Sequence, residues 1–239
     1  MKLEAIFETL AYAYGPRGWW PLPSRAGEFG RDEWGYARGP SACVGPGGGE
    51  RNERDRFEIA LGAILAQNTS WRGASLALAA LGNHRLLNPE ALLAYPSAGL
   101  EGLLRPAGTY ARKAAYIRAL SEAWPAFERS PPERGNLLAL RGVGYETADC
   151  IGLYCYGRAR FVADAYARRI LARLGFCPAK AGYEGVRLYA EGELPFDAIY
   201  LAEAHALLVE HAKRYCRAKP LCGACPLGQS CAFKRSYRG

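Results

Sequence analysis

The apolar positions along this chain follow the period of amphipathic helices. The segment RFEIALGAILAQ places Phe57, Ala60, Leu61, Ile64 and Leu65 at spacings of three and four residues, which puts these side chains on one helix face. Similar patterns run through ARKAAYIRALSEAW, AYARRILARLGF and AIYLAEAHALLVEHAKRYC, and the short segment ARFVADA is the one brief candidate for a strand. The pattern therefore predicts an all-α protein.

One long stretch departs from this pattern. Residues 24–55 are rich in glycine, proline and charged residues, a composition typical of loops and of disordered segments. A loop of this length is unusual inside a compact domain. We therefore expect an excursion that joins an N-terminal helix to the main helical body.

Composition narrows the choice of partners. The 239 residues carry a formal net charge of +8, which favours a polyanionic partner such as nucleic acid or an anionic membrane surface. The first residues, MKLEAIFETLAYAYG, contain acidic side chains and no apolar core of a signal peptide, and no apolar run could cross a bilayer. We therefore expect a cytoplasmic protein without a membrane span.

Cysteine spacing points to a bound metal group. Four of the eight cysteines (Cys43, Cys150, Cys155 and Cys177) are scattered, and we interpret them as small buried apolar residues. The other four are Cys216, Cys222, Cys225 and Cys231, in the pattern C-x5-C-x2-C-x5-C. A reducing cytosol argues against disulfides, so an iron–sulfur cluster or a zinc ion is the leading interpretation.

A second motif lies in the middle of the chain. In LLALRGVGYETADCIGLYCYG, residues 137–157, the end of one predicted helix runs into Gly142, Val143 and Gly144 before a second helix begins. Two glycines permit a tight turn and leave amide N–H groups accessible at a helix N-terminus, where they suit a phosphate oxygen. Such a hairpin would hold a DNA backbone without reading its sequence. An ordinary helix–turn–helix corner would have the same glycines.

A single carboxylate follows this motif. Asp164 in FVADAYARRIL directly precedes an amphipathic helix, twenty residues after Gly144. On its own, an aspartate in this position is most simply an N-cap that accepts amide hydrogen bonds. Because Asp164 occurs together with the hairpin and the cysteine motif, a catalytic role is favoured over that of a simple N-cap.

The order of the hairpin, the aspartate and the four cysteines along this chain resembles that in the helix-hairpin-helix DNA glycosylases of the endonuclease III type. The resemblance covers most of the chain from about residue 56 to 233. LGAILAQNTSW, AGTYARKAAYI, LRGVGYETA and ADAYARRI each match a family segment, and the cysteine motif is one residue shorter in its first gap. The resemblance, rather than the spacing, favours a [4Fe–4S] cluster over zinc.

The resemblance implies two helical lobes with a DNA-binding cleft between them. A six-helix barrel would span residues 56–158 and contain the hairpin at 137–155. A cluster lobe would combine the N-terminal helix, residues 1–23, with residues 159–239. The partner would be double-stranded DNA with a damaged base, bound by a monomer, and the base would be rotated out of the stack. Such a protein would be nucleoid-associated in the cytoplasm and would have no membrane partner.

One position departs from the bifunctional members of the family. They carry a lysine two residues after the second hairpin glycine, and this chain has Glu146 there. A carboxylate cannot form a Schiff base, whereas Asp164 is retained and can stabilise an oxocarbenium-like sugar. Glu146 and Asp164 are the candidate catalytic positions, and the resemblance implies a monofunctional glycosylase closest to the 3-methyladenine branch.

Further residues receive roles from the same resemblance. Trp71, Tyr145 and Tyr166 are the candidate aromatic pocket for a cationic alkylated purine. Gln67 would fill the gap left by the flipped base, and Thr109 lies at the approximate place of an intercalating residue. Arg217 and Lys219 would contact phosphates from the loop between the first two clustered cysteines. His205 and His211, six residues apart on one helix, are interpreted as structural.

Two other functional classes remain open from the sequence. A bifunctional glycosylase/lyase acting on oxidised pyrimidines would share most of these motifs, but Glu146 argues against it. A non-catalytic DNA-binding module would use only the hairpin and the cysteine loop, and the retained Asp164 argues against that.

Overall fold

The computed structural model describes residues 2–39 and 52–236. Within these ranges the regular structure is helical, and the one β interaction is an isolated bridge between Arg31 and Ala37. The all-α prediction is confirmed, and the candidate strand ARFVADA forms no strand among these residues. None of the described helices is both long enough and apolar enough to span a bilayer.

Thirteen helices are defined in the described residues. In chain order they are α1 (Leu3–Tyr14), α2 (Ala26–Phe29), α3 (Glu53–Leu65), α4 (Trp71–Asn83), α5 (Pro89–Ala94), α6 (Ser97–Leu104), α7 (Tyr110–Arg129), α8 (Arg134–Leu138), α9 (Tyr145–Tyr156), α10 (Ala165–Leu174), α11 (Tyr183–Glu193), α12 (Ala198–Arg214) and α13 (Ala232–Ser236). Two turns of 3-10 helix lie at Pro23–Arg25 and Arg105–Ala107.

The chain divides into two compact units. The first, which we call the hairpin unit, spans residues 18–158 and contains α2 to α9. The second, the cysteine unit, combines α1 with α10 to α13, so its described residues are 2–17 and 159–236. The expected N-terminal segment of 1–23 is divided between them, because residues 18–23 pack with the hairpin unit.

The hairpin unit is built around α3. The five apolar positions that the periodicity placed on one face of this helix are all buried, and Phe57 lies edge-on to Trp124 of α7 at a centroid distance of 5.1 Å. Asn52 caps the helix, since its side chain accepts a hydrogen bond from the Asp55 amide. The helix consequently begins at Glu53, three residues before the expected barrel boundary.

Part of the expected excursion at 24–55 is ordered on the same helix. Glu58 is buried, and its carboxylate accepts hydrogen bonds from the amide and hydroxyl of Ser24. Arg25 pairs with Asp55 at 2.5 Å. Residues 40–51, including Cys43, lie outside the described residues.

The cysteine unit contains the amphipathic helix α10, whose inward face the sequence predicts. On α10 the positions Ala167, Ile170, Leu171 and Leu174 are buried, as the spacing predicts. The helix ends at Gly175, which adopts φ 92° and so allows the chain to leave in the left-handed conformation. The long helix α12 ends at Arg214, two residues before Cys216.

Candidate functional site

The hairpin between α8 and α9 depends on Gly142. This residue has φ 83°, and a Cβ atom there would lie 2.2 Å from the ring of Tyr116. The Val143 side chain is buried, and its amide donates to the Leu140 carbonyl at 3.1 Å. Gly142 is therefore required both by its backbone conformation and by an aromatic ring packed on its Cα.

The same turn leaves donors for an anion. Gly144 is exposed and forms the N-cap of α9, and a Cβ atom added to it would meet no other group within 4 Å. Within residues 2–39 and 52–236, the amides of Gly142 and Gly144 donate no backbone hydrogen bond. Amides at a helix start combine accessible donors with the positive end of the helix dipole, which suits a phosphate.

The Gln67 side chain, in the loop between α3 and α4, forms hydrogen bonds to this hairpin. Its Nε2 donates to the Gly142 carbonyl and to the Thr147 hydroxyl, both at 2.9 Å. The bonds join the loop after α3 to both sides of the turn. The role predicted for Gln67, filling the space left by a flipped base, stays a prediction. The hydrogen bonds to Gly142 and Thr147 are a separate, structural role of its amide group.

A charged pair fixes the two hairpin helices to each other. Arg134 of α8 binds both carboxylate oxygens of Asp149 on α9, at 2.7 and 3.0 Å, and Asp149 is buried. The Arg134 guanidinium also lies 5.0 Å from the ring centre of Tyr145. Tyr145 is half exposed at the first position of α9, so its ring is held by a cation on one face.

Lys113 joins two loops that flank the hairpin. It is 2% exposed, and its Nζ donates to the carbonyls of Leu65 at 2.8 Å and Ala107 at 2.6 Å. Burial lowers the pKa of Lys113 to about 8. The two loops that it connects carry Gln67 and Thr109, and Thr109 adopts a left-handed conformation with φ 42°.

The three candidate pocket aromatics occupy different surroundings. Trp71 begins α4 and packs edge-on against Trp20 at 5.5 Å, within a cluster that includes Tyr154. Tyr145 belongs to the hairpin unit and Tyr166 to the cysteine unit. Tyr166 is 38% exposed, with the Arg169 guanidinium 5.2 Å from its ring centre. The assignment of these rings to one pocket stays a prediction.

Asp164 is the N-cap of α10 and is 7% exposed. Its Oδ1 accepts a hydrogen bond from the Ala167 amide at 2.6 Å, while Oδ2 lies 3.8 Å from Nε2 of the buried His205. One oxygen therefore fixes the carboxylate to the helix start, and the other faces an imidazole. Glu146, the second residue of α9, is exposed.

The four clustered cysteines surround one small pocket in the cysteine unit. Cys216, Cys222, Cys225 and Cys231 line it together with apolar side chains that include Ile170 and Leu227. Burial raises the pKa of the Cys225 thiol, and the three other cysteines raise it further. No three His, Cys, Asp or Glu side chains of the described residues are placed to share a single metal ion.

Two side chains link this pocket to neighbouring helices. The His211 ring lies between Tyr14, whose hydroxyl is 2.8 Å from Nδ1, and the Cys225 sulfur at 3.7 Å from Nε2. Burial lowers the pKa of His211 to about 4, so the ring is neutral at pH 7. Arg173 of α10 donates to the Cys216 sulfur at 3.3 Å and to the carbonyls of Arg217 and Ala218.

The loop between the first two cysteines is exposed. Arg217 and Lys219 both lie on its surface, and the Arg217 Nε donates to the Lys213 carbonyl at 2.7 Å. The loop thus exposes two cationic side chains, while Arg173 of α10 forms hydrogen bonds to its backbone.

Three positioning residues are not evident from the sequence. Arg134, Lys113 and Arg173 each bind groups that are distant in sequence or lie in another element. Charged residues on predicted helices are most simply read as solvated surface positions. Only Lys113 left a signal, because it falls at an inward-facing position of α7 next to buried Ala114 and Ile117.

Comparisons with known proteins agree with this architecture. Residues 61–195 match the family model of the HhH-GPD superfamily of base excision DNA repair proteins. A protein of Methanocaldococcus jannaschii that is named as a DNA repair glycosylase is 33% identical over 223 residues, which cover 89% of this chain and 87% of that protein.

Two solved structures have the same fold. A non-covalent endonuclease III–DNA complex aligns with a TM-score of 0.71 at 20% identity, over 98% of this chain and 95% of that chain. The 3-methyladenine DNA glycosylase MagIII of H. pylori, bound to 1,N6-ethenoadenine, aligns with a TM-score of 0.65 at 22% identity, over 90% and 98%. The chain belongs to the helix-hairpin-helix superfamily of base excision DNA repair proteins, as an endonuclease III-like DNA glycosylase.

Proposed function

We propose that this protein is a monofunctional DNA N-glycosylase that removes an alkylated purine from double-stranded DNA. The observation that carries the proposal is the contrast between two carboxylates. Asp164 is buried and oriented by the Ala167 amide, whereas Glu146 is exposed where a lyase would need an amine. A glycosylase without an amine nucleophile at this position releases the base and leaves the sugar–phosphate strand intact.

In this proposal the hairpin binds the DNA backbone. The amides of Gly142 and Gly144 would bind backbone phosphates, and the flanking Val143 anchors the turn in the core. Such contacts position the duplex without reading its sequence. The target nucleotide would then be rotated out of the stack, at a cost that damage to its pairing reduces.

Asp164 performs the chemical role. Loss of the base leaves positive charge on the sugar, and a preoriented carboxylate stabilises that charge as it develops. The Ala167 amide holds one carboxylate oxygen, so reorganisation of the group during the reaction is small. The second oxygen remains directed away from the helix amide, beside His205, and is the atom that we assign to the sugar or the attacking water.

The choice of an alkylated purine rests on the chemistry of the candidate aromatic side chains. A base that already carries positive charge leaves readily and is attracted by aromatic faces. Trp71, Tyr145 and Tyr166 are the residues that we assign to this contact. The fold is compatible with such a substrate, since the H. pylori protein of the same fold is a 3-methyladenine DNA glycosylase.

Cys216, Cys222, Cys225 and Cys231 would hold a [4Fe–4S] cluster. Four thiols around one pocket fit a group larger than a single ion, because each thiolate of a cluster binds a different iron. Zinc would instead require all four sulfurs at one tetrahedral centre. The cluster would act as a structural staple. Absorption near ~400 nm and an iron content of about four per chain would support it, and a colourless protein loaded with zinc would contradict it.

The experiment is base release from a panel of lesion duplexes, scored with and without alkali. We expect release of alkylated purines, with strand breaks only after alkali. Asp164→Asn should slow single-turnover release by roughly 100-fold or more, the size of effect seen when one electrostatic contact to a transition state is lost.

A matched control is available on α12. Asp197 is also an N-cap aspartate, accepting from the Tyr200 amide at 2.8 Å, and asparagine caps helices as well as aspartate does. Asp197→Asn should therefore retain the parent rate. Borohydride trapping of the protein on DNA would show a bifunctional lyase instead, and DNA binding without base release would show a non-catalytic module.

A further inference from the structure

A groove runs along one face of α10 in the cysteine unit. Its volume is about 610 Å³. Ala165, Arg168, Arg169, Ala172 and Arg173 line it from this helix, at the spacing of three and four residues that places side chains on one helix face. Small residues opposite the helix, Ala179, Ala181 and Ala232, leave room between the arginines.

The groove carries positive charge without a carboxylate among its described lining residues. Within residues 2–39 and 52–236 none of the three arginines has an acidic partner at ion-pair distance. Arg169 and Arg173 donate to backbone carbonyls of the cysteine loop. Those bonds fix the two guanidinium groups, and Arg173 also donates to the Cys216 sulfur at 3.3 Å. The charge that remains for an anion is therefore carried mainly by Arg168 and Arg169, and a groove lined by one sign of charge concentrates anions.

Arg168 differs from the other two arginines of the groove. Its Nε is shielded from solvent, and no acceptor for it exists among the described residues. A shielded N–H without a partner is rare in folded proteins. Arg168 therefore keeps a donor for an oxygen that arrives with a ligand, next to the two guanidinium groups that the cysteine loop holds in place.

We propose that this groove binds backbone phosphates of the damaged DNA, within about four nucleotides of the flipped base. Ala165, at one end of the groove, directly follows Asp164, the N-cap of α10. From Ala165 to Arg173 the helix rises about 12 Å, which corresponds to three or four nucleotides at a rise of about 3.4 Å per strand position.

The inference rests on the proposed function, because Asp164 marks the position of the lesion. It adds a contact that neither the hairpin nor the loop with Arg217 and Lys219 provides. The groove is formed by α10, α13 and the residues between α10 and α11.

The test is binding of a 24-base-pair duplex with a tetrahydrofuran abasic-site analogue, measured over a range of salt concentrations. Arg168→Gln should weaken binding about tenfold, as expected for one charge-assisted hydrogen bond. The slope of log K against log salt should fall by roughly 0.9, the value for one phosphate contact. Arg168→Lys keeps the charge and should recover most of the slope.

Two controls make the result specific. Arg129→Gln removes the same charge from the exposed end of α7 and should leave the slope unchanged. Replacing phosphates by neutral methylphosphonates, one at a time on either side of the lesion, should weaken the parent protein at a position within four nucleotides, where Arg168→Gln shows no further loss.

Three outcomes would overturn the inference. Arg168→Gln could bind with the affinity and slope of the parent. Inorganic phosphate could bind the parent and not the variant while DNA binding is equal, which would assign the groove to a small anion. Methylphosphonate substitution could also weaken binding only at phosphates more than four nucleotides from the lesion. Base release by the parent is measured separately, so failure of the proposed function is visible even where the groove binds DNA.

Discussion

The hairpin and the cysteine loop are both short irregular segments with a predicted DNA contact, but they are stabilised in different ways. The hairpin is fixed by contacts with other side chains. Val143 and Thr147 are buried, and Gln67 bonds to both sides of the turn. Arg134 pairs with Asp149 across the two helices. In the cysteine loop, residues 216–231, Leu227 provides the one fully buried apolar side chain. Its other anchors include backbone turns, the guanidinium groups of Arg169 and Arg173, and the His211 ring beside the Cys225 sulfur.

This difference indicates two sources of order. The hairpin obtains its conformation from packing and hydrogen bonds that form when the chain folds. The cysteine loop buries too little apolar surface to offset the entropy of ordering about sixteen residues. In our proposal a group bound by its four thiolates fixes the loop, and the two segments should therefore respond differently to substitution.

The largest effect should follow loss of a cysteine ligand. Cys225→Ala is expected to abolish absorption near ~400 nm and to expose residues 215–231 to trypsin at Arg217, because structural metal sites contribute on the order of 10 kcal/mol to folding. Hydrogen exchange of the hairpin unit should remain that of the parent.

Cys177→Ala is the matched control, since Cys177 is half-buried and lies outside the cluster motif. It should keep the colour and the protease resistance of the parent. A Cys225→Ala protein with an ordered, trypsin-resistant loop would show that the loop is stabilised by its own packing.

Gly142→Ala should be the next largest effect, this time in the hairpin. An alanine would take a left-handed conformation and place Cβ against the Tyr116 ring, which together cost roughly 3 kcal/mol or more. Gly144→Ala offers the contrast, because φ there is −96° and the Cβ direction is open. Urea unfolding should show a loss for Gly144→Ala of less than about 1 kcal/mol, and equal losses would contradict our account of the turn.

The smallest effect should be at Lys113. Lys113→Met leaves the Leu65 and Ala107 carbonyls without their donor and should cost about 2 kcal/mol at pH 7. The folded pKa of about 8 lies below the unfolded value near 10.4. Between these values the unfolded chain binds more protons, so stability rises with pH. The stability of the parent relative to Lys113→Met should thus increase from pH 8 to pH 10, and a decrease would show that the carbonyls hold the lysine charged.

The sequence alone predicted much of the fold. The buried positions of α3 and α10 follow from a spacing of three and four residues, and Gly175 ends α10 as expected. Residues 24–39 were predicted less well. Their 3-10 turn and short helix are ordered by Glu58 and Asp55 of α3, acidic residues whose inward position on a helix leaves no signal in composition.

The candidate site divides along the same line. Short-range features determined by the sequence were the glycine turn, the N-cap at Asp164 and the cysteine spacing, because each depends on residues a few positions apart. Only the tertiary structure decided which distant groups meet: Gln67 with Gly142, Asp164 with His205, and Arg173 with the Cys216 loop. Such pairs are separated by roughly 40 to 75 positions, and their contacts arise from helix packing, which periodicity specifies only as a face and never as a partner.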